Sequence, residues 1–367
     1  MKRSIYLQPN ALFWDHVPAR QVDEAERHEW RGLPLAGGWL KFAALDVLTR
    51  SATGTQRKTL VLGDAFSGDW GREGLAASDL LQAMTEPRPR LAGLSMDRPR
   101  LMGIVNVTPD SFSDGGQHAL AEAAIAHGLK LAEEGADILD IGGESTRPGS
   151  DAVALEEELR RVIPVIEGLR AKTGKLISID TRKAEVMRRA ASAGADILND
   201  VSALTHDPEA MRVAAESGLP VMLMHAQGDP KTMNDDPQYS DVVLDVFDFL
   251  EGRIAACEAA GIPKSKIVAD PGIGFGKHLK HNVAVMAGLP IYHGLGVPLL
   301  LGASRKKMIG QLCDVPDAKD RLPGSLAAAI AGAAAGVQII RVHDVKETRQ
   351  ALEVWRASTA GTEKGLC

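Results

Sequence analysis

Acidic and amide side chains stand directly after several short apolar runs. Asp180, Asn199 and Asp270 each follow such a run. Carboxylate and amide oxygens accept N–H hydrogen bonds, and a buried carboxylate is tolerated when it is fully paired. The set therefore suits recognition of a heterocycle with several N–H donors. Two alternatives stay open. One is a carboxylate-rich metal site, although an amide and a lysine rather than histidines accompany the cluster. The other is capping of the next helix by Asp180.

A second group of residues is cationic and follows the last two apolar runs. Ser304-Arg305-Lys306-Lys307 opens a helical stretch with Ser304 as candidate helix cap, so we expect an anion site there. Arg341 and His343 lie two residues apart in a strand pattern and therefore share one face. An arginine and an imidazole on one face predict a diphosphate clamp. The alternatives are a solvated basic turn and a structural histidine.

Two polar, glycine-containing loops add further groups. Asn106 ends the first apolar run, where its amide can ligate a hard cation such as Mg²⁺ or hydrogen-bond a phosphate. The loop after it carries Phe112 and suits a lid with a stacking ring, or else a surface turn with Phe112 in the core. The second loop offers the Thr146 hydroxyl and the planar cation of Arg147 to an oxyanion, or holds a solvated arginine.

A third glycine-rich turn, residues 272–277, follows Asp270. Its glycine spacing fits neither the dinucleotide fingerprint nor a Walker loop. The better interpretation is a turn that leaves Phe275 and Lys277 beside a cavity.

The elements that must position these residues repeat from residue 98 onward. Eight short apolar runs alternate with helical patterns, which predicts βα units on a parallel sheet. Eight units over roughly 260 residues match a (β/α)8 barrel, and an open doubly wound sheet is the competitor. Polar residues gather at the end of nearly every run, and only in a barrel do those ends meet at one mouth. We therefore predict an α/β fold, a (β/α)8 TIM barrel.

The first part of the chain differs in composition and lacks the repeating pattern. Residues 1–95 hold four of the five tryptophans, short strand-like runs and one helical stretch. They predict an additional small N-terminal α/β extension of unknown role. Pro87 and Pro89 break any helix, so we place a linker at 86–98 and the catalytic barrel at 98–367.

Composition narrows the classes of function. The chain has 367 residues, 45% hydrophobic and 25% charged, as in an ordinary globular enzyme. Its net charge of −6 and its 4% aromatic content argue against nucleic acid and anionic membranes as partners. No apolar run reaches the roughly 18 residues of a membrane span. Three distant cysteines favour a reducing, cytoplasmic compartment.

Residues 98 to about 356 resemble the dihydropteroate synthases, pterin-binding enzymes of folate biosynthesis. The resemblance rests on segments that occur in order: LMGIVNVTPDSFSDGG (101–116), GADILDIGGESTRPG (135–149), IDTR (179–182), NDV (199–201), DPGIGFGK (270–277), SRK (304–306) and RVHD (341–344). They span about seven-tenths of the chain, and so many motifs in order make the match highly specific.

This resemblance implies a Mg²⁺-dependent condensation of 6-hydroxymethyl-7,8-dihydropterin diphosphate with 4-aminobenzoate to 7,8-dihydropteroate and diphosphate. It assigns pterin binding to Asp180, Asn199, Asp270, Phe275 and Lys306. It assigns 4-aminobenzoate to Phe112, Thr146, Arg147, Pro148 and Ser304. It assigns the diphosphate to Asn106, Arg147, Arg341 and His343, the metal to Asn106, and catalysis to Asn106, Asp180, Lys306, Arg341 and His343. It also implies a cytoplasmic homodimer that is a target of sulfonamides.

Two departures and two alternative functions accompany the resemblance. Ala226 replaces a methionine common in the family after the strand-five histidine, and residues 1–95 lie outside the family barrel. A pterin-dependent methyltransferase on the same barrel lacks the Ser-Thr-Arg-Pro loop and the Arg-Val-His end, which are both present here. A non-catalytic pterin-binding relative is disfavoured by five intact residues: Asn106, Arg147, Lys306, Arg341 and His343.

Overall fold

A computed structural model describes residues 3–14, 32–61, 74–108, 117–145, 152–228, 232–233 and 235–361. Within these ranges the chain forms an antiparallel sheet with one helix, followed by a closed barrel of parallel strands and helices. None of the described helices has the length and apolar character that crossing a membrane requires.

The N-terminal extension is built on one long strand. Its elements are β1 (Ile5–Trp14), β2 (Leu33–Pro34), β3 (Leu40–Ser51), β4 (Gly54–Val61) and α1 (Gly74–Thr85). Strand β3 pairs antiparallel with each of the other three strands. The strand-like runs and the helix expected from the sequence are therefore present.

Eight parallel strands form the second part of the fold. They are β5 (Arg100–Asn106), β6 (Ile138–Gly142), β7 (Leu176–Asp180), β8 (Ile197–Asp200), β9 (Val221–Met224), β10 (Ile267–Asp270), β11 (Leu300–Leu301) and β12 (Ile339–Val342). Their order is β10-β9-β8-β7-β6-β5-β12-β11, and a bridge between Ala269 and Leu299 joins the two ends. The sheet closes on itself, so the predicted barrel is confirmed and the open sheet is wrong.

Helices lie between the barrel strands. They are α2 (Gln117–Glu133), α3 (Leu155–Arg170), α4 (Ala184–Ala193), α5 (Ala210–Ser217), α6 (Val242–Ala259), α7 (Leu279–Ala287), α8 (Lys307–Cys313), α9 (Leu322–Ala334) and α10 (Val345–Ala360). The Ala- and Gly-rich α9 buries its small residues, and a side chain on Gly332 would collide with Leu301 of the barrel wall. This close approach explains its composition as barrel packing.

The base of the barrel is filled by apolar side chains from the strands and from the segment before them. Inward residues of seven strands, Met102, Ile138, Ile197, Met222, Val268, Leu300 and Ile339, form one buried cluster. Leu91 and Met96 complete this cluster. The prolines do end α1, but the segment expected to be a linker carries apolar side chains into the barrel base.

The extension also docks on the outside of the barrel. Arg50 donates to Asp248 at 2.8 Å and to Asp245 at 3.2 Å, both on α6. The Trp39 indole N–H donates to the carbonyl of Ala333 on α9 at 3.1 Å. Residues from both ends of the extension sheet therefore contact barrel helices.

Candidate active site

The predicted polar residues lie at the carboxyl ends of the barrel strands. Asn106, Asp180 and Asp270 are the last residues of β5, β7 and β10. Asn199 is the third residue of the four-residue β8, and Arg341 lies in β12. The strand ends of a closed barrel surround one mouth, so the fold brings these side chains to a common site.

Arg341 is the centre of the polar cluster. Its Nε donates to Asp140 at 2.6 Å, and its Nη2 donates to Asp180 at 2.8 Å. The amide of Asn199 contacts the same Asp140 carboxylate at 3.3 and 3.4 Å. Asp140, which the sequence interpretation did not single out, thus joins Arg341 and Asn199, and Arg341 in turn binds Asp180.

The position of Asp140 contains a signal that sequence reasoning missed. It lies inside the apolar run of β6 and is fully buried. Side chains alternate along a strand, so Asp140 faces the same way as Ile138, two residues earlier. Ile138 packs in the interior cluster at the barrel base. An acidic residue two places beyond an inward residue therefore points toward the barrel axis.

Asp180 is an acceptor suited to a ligand N–H. Burial raises the pKa of Asp180 to about 7, the Arg341 guanidinium opposes this shift, and Asp140 adds to it. Its Oδ1 is buried and takes no hydrogen bond within the described part of the chain. Asp180 does not cap α4, because the N–H of Ala184 donates to Asp207 at 2.9 Å.

Lys306, Phe275 and Asp270 form another wall of the mouth. The Lys306 ammonium lies 4.4 Å from the centre of the Phe275 ring and donates to the carbonyl of Ile273. Burial lowers the pKa of Lys306 to about 8, and Asp270 opposes this shift. Asp270 accepts the N–H of Gly272 at 2.7 Å. The wall therefore combines a cation, an aromatic face and a buried carboxylate.

Lys277, which the sequence predicted beside a cavity, is buried within the glycine-rich turn. Its ammonium donates to the carbonyls of Gly272 at 2.9 Å and Phe275 at 3.1 Å. It also lies 2.8 Å from Nδ1 of His225. Burial lowers the pKa of Lys277 well below its usual value. The lysine points inward because carbonyl oxygens of the glycine-rich turn accept its hydrogen bonds. These bonds connect Gly272 with Phe275 and so stabilise the turn.

Ser304 does not cap α8 as the sequence predicted. The helix begins at Lys307, and the residue before it, Lys306, makes no side-chain capping bond. The Ser304 hydroxyl instead lies 3.0 Å from Nδ1 of His343 and accepts the backbone N–H of that histidine at 3.3 Å. These bonds join the ends of β11 and β12, where the predicted diphosphate clamp lies.

Gly142 lies beside oxygen atoms of the neighbouring strand ends. The position that a side-chain Cβ on Gly142 would occupy lies 3.9 Å from Oδ1 of Asn106 and 3.9 Å from Oδ2 of Asp180. Within the ranges that the structure covers, no group of three or more histidine, cysteine or acidic side chains is placed to hold a metal ion. Mg²⁺ commonly binds few protein oxygens, several waters and substrate phosphates. Asp180 Oδ2 is bound to Arg341, so the amide oxygen of Asn106 is the donor that fits an ion held in that way.

Four predicted residues, Phe112, Thr146, Arg147 and Pro148, lie outside the described residues. The base of the second loop is described. Glu144 pairs there with Arg182 at 2.6 Å and also with Lys183. The loop that contains Thr146 and Arg147 thus leaves the barrel from a point fixed by ion pairs.

Comparison with known proteins identifies the family. A family profile described as pterin binding enzyme matches residues 102–343. The dihydropteroate synthase of Escherichia coli strain K12 is 51% identical over 270 residues, which are 74% of this chain and 95% of that protein. The solved Xanthomonas albilineans dihydropteroate synthase with 4-aminobenzoic acid is 56% identical, with a TM-score of 0.70, over 74% of this chain and 98% of that one.

A second structure of the Xanthomonas albilineans enzyme contains 7,8-dihydropteroate. It is 52% identical to this chain, with a TM-score of 0.67, and the match covers 74% of this chain and 98% of that one. These similarities cover nearly the whole length of the relatives and leave about a quarter of this chain unmatched. With its closed barrel and the polar cluster at the barrel mouth, this chain belongs to the dihydropteroate synthase family, a family of transferases in folate biosynthesis.

Proposed function

We propose that this chain condenses 6-hydroxymethyl-7,8-dihydropterin diphosphate with 4-aminobenzoate and releases 7,8-dihydropteroate and diphosphate. The observation that carries the proposal is the cluster around Arg341. It joins a cation suited to diphosphate with acidic and amide groups suited to the N–H edge of a pterin. The relatives named for this synthase, one of them solved with dihydropteroate, support the assignment.

We assign pterin binding to Asp180, Asn199, Asp270, Phe275 and Lys306. The unpaired Oδ1 of Asp180 supports this, since an amino-pyrimidinone edge supplies N–H donors. Lys306, above the Phe275 ring, supplies a donor for the pterin oxygen and nitrogen acceptors. Burial of these groups favours a ligand that satisfies them, because an unpaired buried polar group costs about 1–3 kcal/mol.

We assign the leaving group to Arg341, His343 and Asn106. In the reaction, the bond between the pterin methylene and the diphosphate oxygen breaks, and its electron pair leaves with diphosphate. The amine of 4-aminobenzoate forms the new C–N bond and then loses a proton. Arg341 and His343 stabilise the charge that grows on the diphosphate, and the carboxylates of the cluster stabilise the positive charge left on the pterin side. Once both substrates are bound, formation of the C–N bond depends more on their correct placement than on a strong base.

Mg²⁺ is proposed as the cofactor, with Asn106 as its protein ligand. When bound, Mg²⁺ neutralises charge on the diphosphate oxygens. The predicted contacts of Thr146, Arg147, Pro148, Phe112 and Ser304 with 4-aminobenzoate remain part of this proposal.

Product formation tests the proposed function. The full chain with Mg²⁺ and both substrates should form 7,8-dihydropteroate and an equal amount of diphosphate, detected by mass spectrometry and a phosphate assay. Removal of Mg²⁺ with a chelator should stop the reaction, and adding Mg²⁺ back should restore it. Binding of both substrates without product would contradict the proposal and favour a non-catalytic relative.

The low pKa of Lys306 predicts a loss of activity at alkaline pH. A buried lysine with a pKa of about 8 keeps its charge below that pH and loses it above. We expect kcat/KM for the pterin diphosphate to fall as the pH rises through about 8. In Lys306→Arg the guanidinium stays charged, so the alkaline decline should shift to higher pH even if the maximum is lower. If kcat/KM falls at the same alkaline pH in the natural chain and in Lys306→Arg, the result would contradict this role of the Lys306 charge.

We propose three further features of the whole protein. The family resemblance supports a homodimer, which light scattering on the full chain would test. The described thiols, Cys257 and Cys313, are both free, which is consistent with a reducing compartment such as the cytoplasm. The division into an extension at 1–95 and a catalytic barrel at 98–367 remains our proposal for the domain organisation.

A further inference from the structure

Asp140 connects two parts of the site that have different tasks. Its Oδ2 accepts Nε of Arg341 at 2.6 Å and contacts the amide nitrogen of Asn199 at 3.3 Å. We have assigned Arg341 to the diphosphate and Asn199 to the pterin. Asp140 is therefore the only carboxylate within the described residues that contacts both groups.

Asp140 contacts these residues rather than the substrates. Its side chain is fully buried, and both carboxylate oxygens are engaged by Arg341 or Asn199. Arg341, by contrast, is about one-fifth exposed. Its bonds to Asp140 and Asp180 use Nε and Nη2, which leaves Nη1 for an anion at the mouth.

Asp180 alone would hold Arg341 by a single bond, from Nη2 to Oδ2, since its Oδ1 is the oxygen available to a ligand. Asp140 and Asp180 share the one guanidinium, and in the proposed complex Asp180 also accepts hydrogen bonds from the pterin N–H groups. A long arginine side chain loses several rotamers when it is fixed. A second carboxylate, buried and away from the ligand, keeps the guanidinium in place without competing for the pterin.

We propose that Asp140 is a positioning residue that holds Arg341 and Asn199 in register, so that the pterin and its diphosphate are gripped together. This inference rests on the proposed function, because the tasks of Arg341 and Asn199 come from it. Asp140 acts through these two side chains and does not touch the reacting atoms.

The test replaces the charge and keeps the shape. Asp140→Asn is compared with Asp137→Asn, which lies one residue before the same strand. Asp137 also accepts a backbone N–H, from Leu101 at 2.9 Å, and pairs with Arg100 and Arg349 at 3.6 Å. It stands at the opposite end of the barrel, so its replacement reports the cost of losing a comparable Asp–Arg pair.

Binding is measured by calorimetry without 4-aminobenzoate, so that no turnover occurs. The two probes are 6-hydroxymethyl-7,8-dihydropterin and its diphosphate. Each titration is run at a temperature well below the thermal midpoint of the variant. We expect Asp140→Asn to weaken the pterin by about 10-fold and its diphosphate by about 100-fold, as for the loss of charged hydrogen bonds, and to lower kcat. Asp137→Asn should bind both probes as the natural chain does, even if it unfolds at a lower temperature.

A double-mutant cycle separates positioning from a general structural role. In an Arg341→Ala background, Asp140→Asn should no longer reduce the extra affinity that the diphosphate confers over the pterin alone. Unchanged affinity for either probe in Asp140→Asn, or an undiminished effect in the Arg341→Ala background, would overturn the inference. Tight binding of both probes by the natural chain without product formation would instead contradict the proposed function, which keeps the two failures distinguishable.

Discussion

Replacing Arg341 with alanine should lower kcat by about 10²–10³-fold, the usual effect of removing one preorganised donor from a developing negative charge. Arg341 is the cation that joins Asp140 and Asp180 at the barrel mouth. Without it, the departing diphosphate loses a charged partner, and two buried carboxylates lose their counter-ion. Steady-state kinetics with both substrates measure the first effect, and thermal unfolding measures the second.

Loss of the buried counter-ion will also reduce stability, so a second variant is needed. Arg341→Lys keeps a positive charge but has a single ammonium in place of the planar fork that contacts two carboxylates. We expect it to unfold close to the natural chain and still to lose most of kcat. Arg349→Ala is the matched control, because Arg349 pairs with Asp137 at the other end of the barrel. Turnover retained in Arg341→Lys and Arg341→Ala would show that Arg341 does not assist diphosphate departure.

The strand ends of the site were predictable because their signal is local. A short apolar run followed by a polar residue is visible in the sequence, and the closed barrel makes all such ends neighbours. Asn106, Asp180, Asn199, Asp270 and Arg341 all lie where this pattern placed them. Eight repeats of the pattern fixed the fold class without any long-range information.

The partners of these residues were not predictable, because they come from distant parts of the chain. Arg341 and Asp140 are separated by 201 positions, and Ser304 and His343 by 39. By local rules, Ser304 before a helical stretch predicts a helix cap. In the fold its hydroxyl is instead hydrogen-bonded to His343, at the end of the neighbouring strand. Lys277 illustrates the same limit, since its ammonium lies 2.8 Å from Nδ1 of His225, which is 52 positions away in the chain.

The docking of the extension depended on similar long-range pairs. Nothing near Arg50 in the sequence indicates that it will pair with Asp245 and Asp248, nearly 200 residues away. The proline-rich segment after α1 was expected to be a linker because its prolines exclude a helix. Its apolar residues were the missed signal, since Leu91 and Met96 are buried in the barrel base.

Removing residues 1–95 should leave a barrel that does not fold stably. The deletion takes Leu91 from the apolar cluster at the barrel base. It also removes the Arg88 guanidinium, which is buried and donates to the carbonyl of His293 at 2.8 Å. Finally it removes Tyr6, which packs edge-on against Phe247 of α6 with ring centres 5.5 Å apart. We expect aggregation or a non-cooperative thermal transition, observed by calorimetry and size-exclusion chromatography.

A point substitution tests the same contact without truncation. Arg50→Ala leaves Asp245 and Asp248, both largely buried, without their shared cation. Discounted for partial exposure, this should cost about 2–3 kcal/mol and lower the thermal midpoint by about 3–4 °C. Arg57→Ala is the matched control in the same sheet, because Arg57 is 58% exposed and its pair with Asp46 should contribute at most about 1 kcal/mol.

The activity of these variants shows whether the N-terminal extension only stabilises the barrel or also takes part in catalysis. Arg50 contacts α6 on the outside of the barrel, and the site is built at the strand ends, so kcat per folded molecule should be unchanged in Arg50→Ala. The stability loss comes from two carboxylates left without a counter-ion, and high salt should reduce it by screening their repulsion. Two results together would show that the extension does not stabilise the barrel. They are equal thermal midpoints for Arg50→Ala and Arg57→Ala, and a 96–367 fragment that is folded and active.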